Sequence, residues 1–199
     1  MTINIQPSKP KILAISGSLR NGSTNHNILK YLGALIPGDV EYTIYTELSG
    51  IPPFDLGLDN DNPPEPVINL RQLLSDANGI IICTPEYAFG VPGQLKNMLD
   101  WLVSSSTLVD KPVALITASL GGEHAHASLQ LTLGALSANV DLDATLLIQF
   151  IRSKIDEEGN LTDKETISNL NIVLNEFLNK IYWFCDLGAY NSLPCQFDK

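Results

Sequence analysis

The sequence predicts an α/β protein in three layers, a parallel sheet with helices packed on both faces. Two observations carry this. Five strand-like runs alternate with five helix-like runs along 199 residues, the order that parallel crossovers require. The third strand-like run, Gly79-Ile80-Ile81-Ile82-Cys83-Thr84, is apolar without alternation. A strand reads this way when both of its faces are buried.

Taken in order, a first strand over 11–16 runs into a polar loop and a helix over about 24–36, which Pro37-Gly38 ends. A second strand over 40–46 alternates in character. The following connection, 47–64, carries Pro52-Pro53 and Pro63-Pro64. It is longer than most loops and is expected to be functional or to drape over the site. A helix over about 65–77 precedes the apolar strand at 79–84. The third helix starts near Pro92-Gly93, with proline at an early position, and continues through Trp101. A fourth strand at 112–118, a helix at about 123–138 and a fifth strand at 142–150 follow. A last helix covers about 163–184, and residues 186–199 form a tail of irregular character. No linker splits the chain, so one domain spans 1–199 with its core at about 11–184.

Hydrophobic residues make up 44% of the chain and charged ones 17%, which excludes a disordered chain. Twelve basic residues against twenty-two acidic ones give a net charge of −10. Such a surface repels nucleic acid and anionic lipid, so neither is an expected partner. Residues 1–10 lack the basic start and apolar core of a secretory signal, and no stretch is long and apolar enough to span a membrane. A cytoplasmic location is the expectation. Cys83, Cys185 and Cys195 are too few and scattered for a disulfide framework or a zinc site. Cys83 is expected to be a buried thiol, and Cys185 and Cys195 to stay reduced. His26, His124 and His126 show no ligand spacing, and no metal is expected.

In such folds ligands bind beyond the carboxyl ends of the strands. Three loops leave those ends. The first, Ser16-Gly17-Ser18-Leu19-Arg20-Asn21-Gly22-Ser23-Thr24-Asn25, joins hydroxyls, amides and one guanidinium to a helix start, the chemistry of a single phosphate. It has no lysine for a triphosphate and no Gly-x-Gly-x-x-Gly for a dinucleotide. Alone, it fits an ordinary polar turn with Thr24 as helix N-cap equally well. The second loop, residues 84–97, is stiffened by Pro85 and Pro92 and presents Tyr87 and Phe89, a wall for a planar ring or a pair of satellite core aromatics. The third, Ser119-Leu120-Gly121-Gly122-Glu123-His124, lets backbone approach a ligand, or is a flexible turn. No Ser-His-Asp arrangement stands out.

Together the loops resemble the NADPH-dependent FMN reductase family. Its pattern Gly-Ser-Leu-Arg-x-Gly-Ser-x-Asn is matched at 17–25. Its second pattern, Pro-Glu-Tyr-Asn-x-Ser-x-Pro-Gly-x-Leu-Lys-Asn-x-x-Asp-Trp, is matched at 85–101, with Ala88 in place of Asn and Gly90 in place of Ser. Gly121-Gly122 and the run 155–161 are looser likenesses, and His124 stands where the family often has an arginine.

The resemblance implies a flavodoxin-like fold with a five-stranded parallel sheet of order 2-1-3-4-5, and bound FMN. By position, Ser18, Arg20, Ser23 and Asn25 would hold the FMN phosphate, with Ser16 and Leu19 beside them. Pro85, Glu86, Tyr87 and Ala88 would run along the isoalloxazine, and Ser119 and Gly121 would approach it from the fourth strand. NADPH or NADH would be the co-substrate, and hydride would pass through the flavin to a small acceptor such as a flavin, quinone, azo compound or metal oxyanion. No catalytic side chain is then needed beyond the cofactor. A homodimer or homotetramer is implied. Two alternatives remain at this point: a flavodoxin-type electron carrier, which the acidic charge suits, and a flavin-free structural module, which Ala88 and Gly90 suggest.

Overall fold

The computed structural model of the protein describes residues 9–20 and 22–191. Its elements run β1 (Lys11–Ser16), α1 (Thr24–Leu35), β2 (Glu41–Tyr45), α2 (Glu65–Asp76), β3 (Gly79–Thr84), α3 (Gly93–Asp100), β4 (Pro112–Ala118), α4 (Glu123–Ala135), β5 (Asn139–Ile148) and α5 (Lys164–Asn191). The strands form one sheet of order β2-β1-β3-β4-β5. Every pairing is parallel, with Ile12 opposite Tyr42, Ala14 opposite Ile81 and Ile82 opposite Leu115. The flavodoxin-like order and the three layers are those the sequence led us to expect.

Alternation along each central strand divides the core in two. Leu13, Ile15, Ile80, Ile82 and Leu115 join one apolar cluster with Leu70, Leu95 and Leu129 from α2, α3 and α4. Ile12, Ala14, Ile81 and Ile116 join the other with Ile28 and Leu32 of α1 and Leu170 and Phe177 of α5. Successive residues of β3 thus serve opposite clusters, and all six are buried. This is why that run shows no polar alternation. Each wholly buried Leu or Ile contributes on the order of 1.5–3 kcal/mol by removal from water.

The elements differ from expectation mainly at their ends. β5 begins at Asn139, three residues early, because Asn139 and Val140 pair with Pro112 and Val113 before the register shifts. It stops at Ile148 because Phe150 turns left-handed at φ 52°. α4 ends at Ala135, and Ser137 is left-handed at φ 55°. α5 continues to Asn191, so residues 186–191, expected to be irregular, are helical. Residues 192–199 of that expected tail, with Cys195, lie outside the described residues.

The long connection at 47–64 is fastened to α3. Gln94 Nε2 donates 2.8 Å bonds to the carbonyls of Leu48 and Ile51. Asn97 donates to Pro52 O at 2.9 Å and accepts from Phe54 N at 2.7 Å. Trp101 Nε1 also donates to Pro52 O, at 2.8 Å, and its ring meets Phe54 edge-on at 5.1 Å. Further along, Asp59 accepts from Arg71 at 2.7 Å and from Ser104 at 2.8 Å, while Arg71 also donates to the Trp101 carbonyl. Polar side chains of one short helix thus satisfy the carbonyls of a loop that has little ladder of its own.

Candidate functional site

All five parallel strands end at one edge of the sheet, and the chain leaving β1 is drawn hard against β3. Gly17 N donates to Cys83 O at 2.8 Å. A Cβ at Gly17 would lie 2.1 Å from Thr84 Oγ1, so only glycine lets the two backbones approach this closely. Ser16, beneath the turn, accepts from Ser18 N at 3.2 Å and donates to Ser18 O at 3.1 Å. The chain then closes on itself, with Ser23 N donating to Arg20 O at 3.1 Å. Ser23, not Thr24, is the N-cap of α1: its backbone is extended and its Oγ accepts from His26 N at 3.2 Å.

Asn25 fixes where α1 begins. Its side chain is buried, donates to Ala118 O at 3.4 Å and accepts from Cys83 Sγ at 3.3 Å, tying the helix start to the ends of β3 and β4. Burial pushes the Cys83 thiol well above its ordinary value, so it stays protonated.

Above these ends lies a cleft of about 360 Å³, within the range typical of small-molecule sites. The first loop supplies Ser18, Arg20, Ser23, Thr24 and Asn25. The second supplies Pro85, Glu86 and Tyr87, and the third Ala118, Ser119 and Leu120. A turn that follows β5 adds Ile151 and Arg152. The structure therefore brings eight of the twelve expected site residues to one place. The other four stand apart for physical reasons. Ser16 is buried under the turn. Leu19 is 54% exposed on the rim. Ala88 is spent on a tight turn. Gly121 sits beside the carboxylates of Glu86 and Glu123.

Glu86 couples the second loop to the third. Its backbone N donates to Ser119 Oγ at 3.2 Å, and its carboxylate accepts from Ala125 N at 3.0 Å in the first turn of α4. An acid at a helix start is stabilised by the helix dipole. After Glu86 the chain reverses: Tyr87 and Gly90 exchange two 3.0 Å backbone bonds, with Ala88 at φ 48° and Phe89 at φ 60° between them. Two left-handed central residues make a type I′ turn, which favours Asn and Gly. The turn leaves Tyr87 and Phe89 57% and 78% exposed, and Phe89 meets the ring of His124 edge-on at 5.3 Å. His126 takes no part in the cleft lining; its Nδ1 lies 2.9 Å from Thr117 Oγ1 and burial lowers its basicity.

Residues that sequence reasoning missed are Thr24, Ala118, Leu120, Ile151 and Arg152. The first three adjoin expected residues. The last two follow the carboxyl end of β5, and the rule that pointed to the other three loops would have found them had it been applied to the fifth strand as well.

The donor set fits FMN. One part of the cleft offers the Ser18, Ser23 and Thr24 hydroxyls, the opening turn of α1 and a guanidinium, all suited to a dianionic phosphate. Another offers Pro85, Tyr87 and Leu120 as apolar surface for a flat ring. The Arg20 guanidinium forms no hydrogen bond or ion pair with any described residue.

Comparison with known proteins agrees. The sequence model of the family described as NADPH-dependent FMN reductase matches residues 10–151. The chain is 31% identical over 176 residues to a quinone reductase of Escherichia coli (strain K12), covering 85% of this chain and 94% of that protein. It is 32% identical over 174 residues to a 2-hydroxy-1,4-benzoquinone reductase of Burkholderia sp, covering 84% and 93%. Among solved structures, FerB, a flavoenzyme NAD(P)H:(acceptor) oxidoreductase of Paracoccus denitrificans, superposes with a TM-score of 0.76 at 26% identity, over 88% of this chain and 98% of that one. With its sheet order, its two sequence patterns and most of its length matched, the chain belongs to the NADPH-dependent FMN reductase family and is an FMN-dependent NAD(P)H oxidoreductase.

Proposed function

We propose that the cleft holds FMN with its phosphate on Ser18, Arg20, Ser23 and the opening amides of α1, and its ring along Pro85, Glu86 and Tyr87. The observation that carries this is Arg20: a guanidinium with no partner among the described residues, beside three hydroxyls and a helix start, in a chain of net charge −10. Asn25 acts through position rather than contact, since both ends of its amide are engaged by Ala118 and Cys83. Ser119 anchors Glu86 N, and its hydroxyl hydrogen remains available to the ring. Ala88 and Gly121 shape the loops behind the contact surface.

Bound FMN supplies a relay that accepts hydride from NAD(P)H and passes electrons on. The chain's own contribution is to bind and orient. Glu86 and Ser119 hold two loops at a fixed spacing, and the exposed rings of Tyr87 and Phe89 leave the mouth open to flat molecules. A quinone is the proposed acceptor, supported by two relatives, 31% and 32% identical, that are named quinone reductase and 2-hydroxy-1,4-benzoquinone reductase. Exposed Leu19, Leu120 and Phe150 near the mouth support a homo-oligomer. A cytoplasmic location is proposed from the acidic charge and the few, scattered cysteines.

The test is a spectrum of the purified protein, an FMN titration, and NADPH and NADH oxidation with benzoquinone. A flavin band with turnover is expected. Flavin binding with no turnover would revive the carrier, and an FMN-silent protein would leave only a structural module. Analytical ultracentrifugation reads the assembly.

A further inference from the structure

We propose that Arg152 is a second phosphate-binding residue of this cleft, reaching the FMN phosphate from the turn after β5. The inference rests on the cleft being the FMN site. The chain has three arginines, Arg20, Arg71 and Arg152. Arg71 is committed, bonded to Asp59, Ser104 and the Trp101 carbonyl. The other two line one and the same cleft, and the guanidinium of neither forms a hydrogen bond or ion pair with any described residue.

This placement runs against the chain's charge. With ten more acids than bases there are carboxylates to spare. Two of those that follow Arg152 in sequence, Asp156 and Asp163, are engaged elsewhere. Asp156 accepts from Asn160 N at 2.7 Å and Asn160 Nδ2 at 3.0 Å. Asp163 caps α5 through Thr166 and pairs with Lys154 at 3.4 Å. Two guanidinium groups thus line one cleft with no ion pair to any described residue, an arrangement that an anionic ligand relieves.

The turn is built to hold the residue there. Ile151 is 5% exposed within the apolar cluster under α1 and α5, and its N donates to Ser119 O at 3.1 Å. Phe150 N donates to Leu120 O at 3.1 Å. Phe150 itself is left-handed, an unfavourable state for an aromatic residue that the two bonds and the Ser153 Oγ bond to its carbonyl, 2.8 Å, maintain. Strain that is over-determined by its surroundings, beside a ligand cleft, fixes the backbone from which Arg152 projects. The third loop, which runs beside the flavin ring in the proposed reading, and this turn are thereby one unit.

The test is fluorescence titration of the flavin-stripped protein with FMN and, separately, with riboflavin, which lacks the phosphate. Arg152→Ala is expected to raise the FMN dissociation constant about 10- to 100-fold, the range of one charge-assisted contact, and to leave riboflavin binding unchanged within about twofold. Arg152→Lys, which keeps the charge, is expected to recover part of the loss. An FMN affinity equal to wild type overturns the proposal, including the case in which only the KM for NADPH rises. Equal losses for FMN and riboflavin also overturn it, because they mean packing rather than charge. Wild-type protein that fails to bind FMN defeats the site itself and not Arg152 alone, and Arg20→Ala run in parallel separates the two. Arg152 is exposed, so both variants are expected to keep the wild-type far-UV spectrum.

Discussion

The loop after β1 and the polar face of α3 are both rich in amides and hydroxyls, yet the structure uses them in opposite ways. On α3, the polar side chains that face the connection at 47–64 have found protein: Gln94, Asn97 and Trp101 satisfy the carbonyls of Leu48, Ile51 and Pro52. In the first loop, the side chains of Arg20, Ser18 and Thr24 find none among the described residues, while Ser16, Ser23 and Asn25 shape the backbone around them. Completed hydrogen bonds mark a residue that holds the fold, and uncompleted ones beside a cleft mark a residue that waits for a ligand. The family pattern at 85–101 spans both kinds. Its first half, around Pro85 to Tyr87, faces the cleft, whereas its second half, around Asn97 and Trp101, is a clamp on the loop at 47–64.

The comparison can be broken most forcefully at Trp101. Its side chain is wholly buried and its indole N–H is bonded. Trp101→Ala should cost about 3–5 kcal/mol of stability in urea unfolding, while the folded fraction keeps its FMN affinity. A large loss of affinity without loss of stability would erase the distinction. Arg20→Ala should do the reverse: FMN binding weaker by about 1.5–3 kcal/mol in titration, with the stability of the flavin-stripped protein within about 0.5 kcal/mol of wild type.

A third substitution probes the turn between the two halves. Ala88 and Phe89 occupy left-handed backbone that L residues adopt at a cost of roughly 1–2 kcal/mol each. Asn tolerates that state, so Ala88→Asn should raise stability by about 0.5–1 kcal/mol in thermal unfolding. No gain would mean that the turn relaxes in solution.

The smallest expected effect concerns pH and the far end of the connection at 47–64. Burial acts to raise the Asp59 carboxyl, but bonds from Arg71 and Ser104 and the Arg71 charge outweigh it and hold the group below the usual aspartate range. A depressed carboxyl stabilises the fold above its ordinary value and loses that contribution as pH falls through the lowered one. Urea midpoints measured from neutral to acid pH should fall more steeply for wild type than for Asp59→Asn. Parallel curves would show that the Arg71 contact is not formed in solution.

Much of the molecule was readable along the chain because its signals are local. An apolar run at 79–84 can be stable only with both faces covered, and Pro92-Gly93 and Pro37-Gly38 punctuate helices wherever they fold. The phosphate chemistry of 16–25 is contiguous, so it too could be read directly. The roles within it could not. Asn25 reads as a phosphate ligand, and only the meeting of three strand ends makes its amide a brace between Cys83 and Ala118. Gln94, Asn97 and Trp101 read as a motif attached to a ring-binding loop, and only their proximity to Pro52 makes them structural.

By itself, then, the sequence determined the α/β class, the strand that lies at the centre, and the loop with the chemistry of a phosphate, because periodicity and residue type act over a few positions. The tertiary structure alone decided which polar groups are spent and which are left over, and that Arg20 and Arg152, far apart in the chain, share one cleft. Hydrogen-bond partners and uncompensated charge are properties of what surrounds a group in space, and folding brings those surroundings together from four separate strand ends.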